Sequence, residues 1–332
     1  MSAVAVLGAG SWGTALAIHL ARGGHDVRLW ARDAALADAI RTTRRNAQYL
    51  GDAAIPAAVR PTHAIDEAVA GAEFVTVAVP SHGARAVVRS AVPFVRDDAF
   101  LVSAVKGLES ESLQRMSEVL TAEAGPRRPV IVLSGPSFAA EVARELPTAV
   151  LAASADERAA TTVQEQFRGR TFRIYASDDV AGVEIGGALK NVIAIAAGCV
   201  EGLGIGHNAM AALITRGLAE ISRLACAEGG RRETLAGLSG LGDLVLTCTG
   251  DLSRNRHVGI ELGRGRTLSE ILGSMRMVAE GVRTAGAALS LGARHGIELP
   301  IAAQMYAVLE GERSPAEAVD ALMGRRQRAE LD

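Results

Sequence analysis

Residues 3–13 read AVAVLGAGSWG, and the fold follows from this stretch. Ala3–Leu7 is a short apolar run of strand type, and it leads directly into Gly8-Ala9-Gly10-Ser11-Trp12-Gly13. A helical pattern follows from Thr14 to about Ala21, and an extended run returns at Asp26–Trp30. A bare GxGxxG is a weak signal. A strand, glycine turn, helix and second strand within about thirty residues give it the context it needs. In that context Gly8 makes the tight turn, Gly10 lets backbone approach a pyrophosphate, and Gly13 lets the helix pack on the strand. The helix N-terminus then offers unpaired N–H groups to phosphates. A glycine turn in an α/β protein that binds no nucleotide is the plainer alternative.

The second strand ends Trp30-Ala31-Arg32-Asp33. An acid at this point binds the ribose hydroxyls of NAD(H), whereas an Arg can meet the 2′-phosphate of NADP(H). Arg32 therefore points to NADP(H). Asp33, one position later, keeps NAD(H) open, and Arg32 can equally be plain surface charge. Further strands are expected at Phe74–Val79, Phe100–Ala104, Val130–Leu133, Thr148–Ala152 and Phe172–Tyr175, with helical patterns between them. That alternation predicts a Rossmann-type, doubly wound parallel sheet. Ligands bind off the carboxyl ends of such strands. The segments leaving them are Val79-Pro80-Ser81-His82, Val105-Lys106-Gly107 and Ser134-Gly135-Pro136-Ser137-Phe138. All three should converge on one crevice, with Lys106 where substrate or nicotinamide lies. His82 can simply begin a helix and is given no chemistry.

After about Ser177 the strand pattern stops, and long Ala- and Leu-rich helical stretches follow at roughly Val180–Val200 and Ala209–Ala227. A chain of 332 residues exceeds what one core usually serves. The expected division is a dinucleotide-binding domain at 1–178 and an all-helical substrate domain at 179–332. Aromatics are only 3%, so the cores must be built of Ala, Val, Leu and Ile. The net charge of −2 argues against a broad basic face for nucleic acid. Three separated cysteines, Cys199, Cys226 and Cys248, form no Cys-x-x-Cys pair, no His cluster has metal-ligand spacing, and no metal is expected. The start MSAVAVLGAG lacks the basic segment of a signal peptide, and the apolar run Val192–Val200 is short for a membrane span. A cytoplasmic protein with reduced cysteines and no membrane insertion is the expectation.

Of the 35 basic Lys and Arg side chains, only Lys106 and Lys190 are Lys. Arg supplies the generic charge, so a retained Lys marks a place where a removable proton is useful. Lys190 lies in GGALKNVIAIAAG, and burial among such residues lowers an ammonium pKa into the range of a general base. A Lys whose head snorkels to water reads equally well from this segment alone. Glu184, Gly187 and Asn191 share a helical face beside it. Farther on, Leu238-Ser239-Gly240-Leu241-Gly242-Asp243 reads as a glycine-rich turn carrying an acid. Ser253-Arg254-Asn255-Arg256 supplies hydroxyl, guanidinium and amide donors suited to a phosphate. A capped helix start with exposed arginines is the bland alternative.

At this point the chain resembles the bacterial NAD(P)-dependent glycerol-3-phosphate dehydrogenases, from Val4 to about Met323. The resemblance rests on GAGSWGTALA, VPSH, VKGLE, SGPSFAAEV, EIGGALKNVIAIAAG, GLGDLVLTCTGDLSRNRHVG and AEGVRTA, in that order. It implies reversible hydride transfer between sn-glycerol 3-phosphate and dihydroxyacetone phosphate, run mainly toward glycerol 3-phosphate for phospholipid synthesis. It implies Lys190 as proton acceptor, and Lys106 in touch with both substrate and cofactor. Gly135, Ser137, Asp243, Ser253, Arg254 and Asn255 match substrate contacts, while Asn191 is expected at the substrate because an Asn beside a Lys can orient the hydroxyl that the Lys deprotonates. Ser11, Trp12, Arg32, Tyr49, Ala139, Val278 and Glu280 match cofactor contacts beside Gly8, Gly10 and Gly13, and Arg254 is placed near both ligands. The expected partners are the small-molecule substrate and NADP(H) or NAD(H), with a homodimer as an option. The family often has YLPG where this chain reads Tyr49-Leu50-Gly51-Asp52, and Met210 stands where a Lys is common. Two rivals share the glycine turn. A two-domain hydroxy-acid dehydrogenase would bind a carboxylate, and a non-catalytic dinucleotide sensor would not need Lys190.

Overall fold

A computed structural model describes residues 1–275, 279–327 and 329–330. In chain order, the first half contains β1 (Ala3–Leu7), α1 (Ser11–Arg22), β2 (Asp26–Trp30), α2 (Ala34–Thr43), β3 (Val59–Thr62), α3 (Ile65–Val69), β4 (Phe74–Val77) and α4 (Ser81–Ala91). It continues with β5 (Phe100–Ser103), α5 (Met116–Ala124), β6 (Val130–Ser134), α6 (Ala139–Ala143), β7 (Thr148–Ala153), α7 (Glu157–Phe167) and β8 (Phe172–Ser177). Helices alone follow among the described residues. They are α8 (Val180–Gly202), α9 (His207–Ala227), α10 (Arg232–Leu235), α11 (Asp243–Thr249), α12 (Arg254–Gly263), α13 (Leu268–Ser274), α14 (Glu280–Arg294), α15 (Pro300–Leu309) and α16 (Pro315–Met323).

The strands form one sheet in the order β3-β2-β1-β4-β5-β6-β7-β8. Its central strands are apolar along their length, as strands covered on both faces must be. One face packs under α1, α6 and α7 and the other under α3, α4 and α5. The sheet is doubly wound and mostly parallel, as expected, with one reversal. Pairing is parallel from β3 to β6, but β7 runs antiparallel to β6, and β8 follows β7. The cause is the connection at residues 135–147. Its helix α6 has only 5 residues, about 7.5 Å of rise, against roughly 17 Å for a five-residue strand. It cannot carry the chain back to the starting edge of the sheet. The segment therefore stays at the carboxyl end of β6, on the mouth of the crevice.

Helix α8 is the column of the helical half. It is apolar all round, and such a helix belongs in a core. Val183 to Val200 is buried throughout, enclosed by α9, α11, α12 and α14. It is long and apolar enough to cross a membrane, but its apolar window is wholly buried inside the fold. Against α12 the approach is backbone on backbone. A Cβ at Gly259 would stand 1.9 Å from the Ile195 carbonyl oxygen, and one at Gly198 would stand 2.0 Å from that of Arg256.

Candidate active site

The glycine turn fits a dinucleotide. Gly8 has φ +119°, and a Cβ there would lie 2.7 Å from the Ala78 carbonyl oxygen of the neighbouring strand's end. Gly13 packs on the turn itself, its Cβ position 1.9 Å from the Gly8 carbonyl oxygen. Above Gly10 there is nothing within 4 Å. Gly10 is the N-cap of α1 and offers no side chain, so the first amides of the helix are left for an anion. Trp12 Nε1 is buried without a partner. Ser11 Oγ donates to the Tyr49 carbonyl oxygen at 2.7 Å, which brings Tyr49 to the turn. Ala139 starts α6 and packs on the same cluster as Trp12.

At the end of β2 the two charged residues separate in role. Asp33 caps α2, its carboxylate accepting from Ala35 N at 2.9 Å. Arg32 is exposed and has no hydrogen-bond or ion-pair partner among the described residues. Glu280 opens α14, and its carboxylate accepts from Ser81 N at 3.2 Å and Ser81 Oγ at 2.6 Å. Its neighbour in the motif, Val278, lies outside the described residues. His82 stands in the first turn of α4 and is exposed.

The two lysines of the chain meet on one carboxylate. Lys106 Nζ donates to Asp243 Oδ2 at 2.8 Å, and Lys190 Nζ donates to Asp243 Oδ1. Asp243 is 1% exposed and Lys190 6%. Lys106 Nζ also donates to the Gly135 carbonyl oxygen at 2.7 Å and to Ser137 Oγ at 3.4 Å. The segments after β5 and β6 therefore converge, and the one after β4 joins them at Gly107, where a Cβ would stand 2.8 Å from Ser81 Cβ. Gly187 lets this happen, since a Cβ there would lie 2.9 Å from Ser134 Oγ and 3.8 Å from Lys106 Cγ. Burial pulls the Lys190 pKa down from 10.5 to about 7, and the Lys106 charge adds to that, while Asp243 opposes it. An ammonium tuned to that value can give or take a proton at neutral pH.

A chain of amides extends from the lysines. Asn191 Nδ2 donates to the Lys106 carbonyl oxygen at 3.4 Å, and Asn255 Nδ2 donates to Asn191 Oδ1 at 2.9 Å. Asn255 Oδ1 accepts from Gly281 N at 2.9 Å. Ser253 caps α12 by accepting from Arg256 N at 3.2 Å. Arg254, beside it, is exposed and unpaired among the described residues. Glu184 leaves this group despite sharing a face with Asn191. It accepts from Ser117 N at 2.8 Å and pairs with Arg115 Nη1 at 2.9 Å at the start of α5.

Sequence reasoning missed Thr247, whose hydroxyl receives a hydrogen bond from Lys190 Nζ at 2.9 Å. Residues 238–243 read as a glycine-rich turn, but they form a π-helical turn, Leu238–Gly242, that feeds α11 at Asp243. Once Asp243 is helical, Thr247 lies four residues on and shares its face. Ser81 was placed at the crevice but given no role, because its partner Glu280 is remote in sequence.

A Rossmann-type sheet with an uncapped glycine turn, whose strand-end Lys106 shares a carboxylate with the buried Lys190 of α8, defines the class of nucleotide-dependent dehydrogenases. Residues 3–160 match the family described as NAD-dependent glycerol-3-phosphate dehydrogenase N-terminus, and residues 179–320 its C-terminus. The chain is 53% identical to a glycerol-3-phosphate dehydrogenase [NAD(P)+] from Koribacter versatilis, covering 100% of this chain and 99% of that protein. It is 51% identical to one from Geobacter sulfurreducens over 98% of both. The crystal structure of glycerol-3-phosphate dehydrogenase from Coxiella burnetii superimposes with a TM-score of 0.94 at 40% identity, covering 98% of this chain and 99% of that one. The chain belongs to the NAD-dependent glycerol-3-phosphate dehydrogenase family.

Proposed function

We propose that the protein interconverts dihydroxyacetone phosphate and sn-glycerol 3-phosphate with NAD(P)(H), mainly toward glycerol 3-phosphate for phospholipid synthesis in the cytoplasm. The observation that carries this reading is the sharing of one buried carboxylate by the only two lysines in the chain. A bound nicotinamide would give the hydride to C2 in reduction and take it up in oxidation, and the chain's own residues do the rest. In the oxidative direction neutral Lys190 takes the proton of the substrate C2 hydroxyl. In the reductive direction its ammonium returns a proton to the C2 oxygen. Lys106 and Asn191 hold and polarise that oxygen. Asp243 and Thr247 keep the Lys190 amine in place by the two bonds it makes to them.

Arg254 and Asn255 hold the phosphate. The free guanidinium of Arg254 supports this role, because a fork without a partner can take two phosphate oxygens. Phosphate binding remote from C2 then fixes the reacting carbon. Arg32 is read as the 2′-phosphate contact, with Asp33 occupied at its helix. Gly135, Ser137 and Ser253 border the substrate, and Ser11, Trp12, Tyr49, Ala139 and Glu280 the nucleotide. Residues 1–178 form the dinucleotide-binding domain, and residues 179–332 the substrate domain.

The test is absorbance at 340 nm with dihydroxyacetone phosphate and either NADPH or NADH. Rapid oxidation of the cofactor is expected, with poor turnover of unphosphorylated dihydroxyacetone. Turnover of a 2-keto acid at a comparable rate would favour a hydroxy-acid dehydrogenase. Cofactor binding without turnover of any substrate would make the protein a sensor.

A further inference from the structure

We propose that Asn46 is a positioning residue for the nucleotide: its buried amide locks the loop after α2 onto the glycine turn in the arrangement that binds. The proposal rests on the dinucleotide reading of that turn. Asn46 is 1% exposed. Its Nδ2 donates to the Ala9 carbonyl oxygen at 2.9 Å and to Thr14 Oγ1 at 2.8 Å. Ala9 lies inside the turn and Thr14 one turn into α1, so both amide hydrogens are used on the phosphate-binding element. The Ala9 carbonyl can only accept, which fixes the nitrogen on that side.

The main chain of Asn46 organises the loop at the same time. Its carbonyl oxygen accepts from Tyr49 N at 3.2 Å and Leu50 N at 2.8 Å. Ser11 Oγ then returns to the Tyr49 carbonyl at 2.7 Å. Glycine turn, Asn46 and Tyr49 thus form a closed circuit. Holding the Ala9 carbonyl also fixes the peptide leading into Gly10, over which the open space lies. The far side of the loop is anchored separately by Arg44, which donates from Nε to the Ile55 carbonyl at 3.2 Å and from Nη2 to that of Val59 at 3.0 Å.

The ends of its two bonds separate positioning from mere stability: both fall on the glycine turn and the first turn of α1, and neither falls within the loop's own chain. Without the amide, turn and loop leave their joint arrangement part of the time. Apparent affinity then falls by the fraction of molecules that remain competent.

The test is titration of the full-length protein with NADPH by calorimetry, alongside steady-state kinetics and thermal melting. Asn46→Ala and Asn46→Asp should each raise the NADPH Kd roughly ten- to a hundredfold, the loss expected of two buried hydrogen bonds. The Asp variant keeps the shape and loses the donor, so it should not rescue. At saturating NADPH, kcat and the KM for dihydroxyacetone phosphate should stay within about threefold. Thr14→Val removes one of the two acceptors and should move Kd in the same direction by less. Arg44→Ala loosens the same loop from its other side and should lower Tm with little change in Kd. The proposal is overturned if the Asn46 variants melt earlier but bind NADPH normally, or if Arg44→Ala weakens binding as much. Should the Asn46 variants fail to fold, an unchanged Kd in Thr14→Val overturns it alone. An unsubstituted protein that binds neither NADPH nor NADH sinks the dinucleotide reading, and this inference with it.

Discussion

Lys190 works, on the proposed reading, by giving up and regaining a proton, which an arginine cannot do in a protein. Lys190→Arg should therefore be as damaging as Lys190→Ala, on the order of 10²–10⁴ in kcat, with NADPH binding retained. Near-normal turnover by the Arg variant would remove Lys190 from the role of base. The pKa near 7 fixes the sign of the pH dependence. Oxidation of glycerol 3-phosphate needs the neutral amine, so its rate should rise as pH climbs through about 7. Reduction of dihydroxyacetone phosphate needs the ammonium and should fall over the same interval. Profiles of kcat in the two directions that do not mirror each other would place the controlling titration elsewhere. Arg254 poses a separate question of recognition. Arg254→Ala should lower kcat/KM for dihydroxyacetone phosphate about a hundredfold, near 3 kcal/mol. The already poor reaction of unphosphorylated dihydroxyacetone should change little. An equal loss on both substrates would mean that Arg254 does not read the phosphate.

Among the elements, α15 has an unusual cap. Glu220, buried on α9, accepts from Ile301 N at 2.7 Å and Ala302 N at 3.3 Å in the first turn of α15. Burial raises its pKa from 4.5 to about 7, against the pull of those two amides. The folded protein then holds more protons than the unfolded chain between these values, so stability should decline as pH rises across that window. Glu220→Gln keeps an acceptor for the amides and removes the titration. Urea unfolding at pH 5 and pH 8 should show the decline in the unsubstituted protein and little of it in the variant. A slope that survives in Glu220→Gln would assign it to another group. The seam of α8 and α12 behaves differently, since main chain touches main chain there. Gly259→Ala drives a methyl to 1.9 Å from the Ile195 carbonyl oxygen. It should cost about 1–3 kcal/mol or more, and the KM for dihydroxyacetone phosphate should rise more than that for NADPH. Unchanged stability would show that the helices can part without loss.

At the scale of the whole molecule, several contacts among the described residues join the sheet half to the helical half. They include Lys106 with Asp243, Asn191 with the Lys106 carbonyl, Glu280 with Ser81, and Glu184 with Ser117 and Arg115. The last involves neither lysine and can be tested alone. Glu184→Ala leaves Arg115 and the Ser117 amide without their buried partner, and should cost about 3–5 kcal/mol by chemical denaturation. A loss below about 1 kcal/mol would show that this pair does not hold the halves together.

Much of the molecule was legible from residues 3–13 alone, because a glycine turn between strand and helix has few structural meanings. The helix Glu157–Phe167 and the start of α8 at Val180 fall where the pattern puts them. The reversal of β7 was not legible, since it depends on the length of α6 and not on the strand's own residues. β3 escaped for a local reason. It is a four-residue edge strand containing Pro61, and such a segment reads as loop. Lys190 could be singled out by composition. Its meeting with Lys106 on Asp243 could not, because residues 53 apart or more come together only where α8 and α11 pack beside each other and against the segment after β5.

The glycine seam between α8 and α12 carries one more consequence. Side-chain contacts between helices can adjust by a change of rotamer, whereas a contact of main chain on main chain has no such slack. Helix α8 carries Lys190 and α12 begins at Arg254, so on the proposed reading the seam acts as a caliper with the base on one jaw and the phosphate anchor on the other. The setting suits one length of substrate. A homologue with an extra methylene between C2 and the phosphate overshoots it, and one shorter by a carbon leaves a jaw empty. On this account selectivity for a three-carbon phosphate resides in seam glycines such as Gly198 and Gly259, which carry no side chain to touch it.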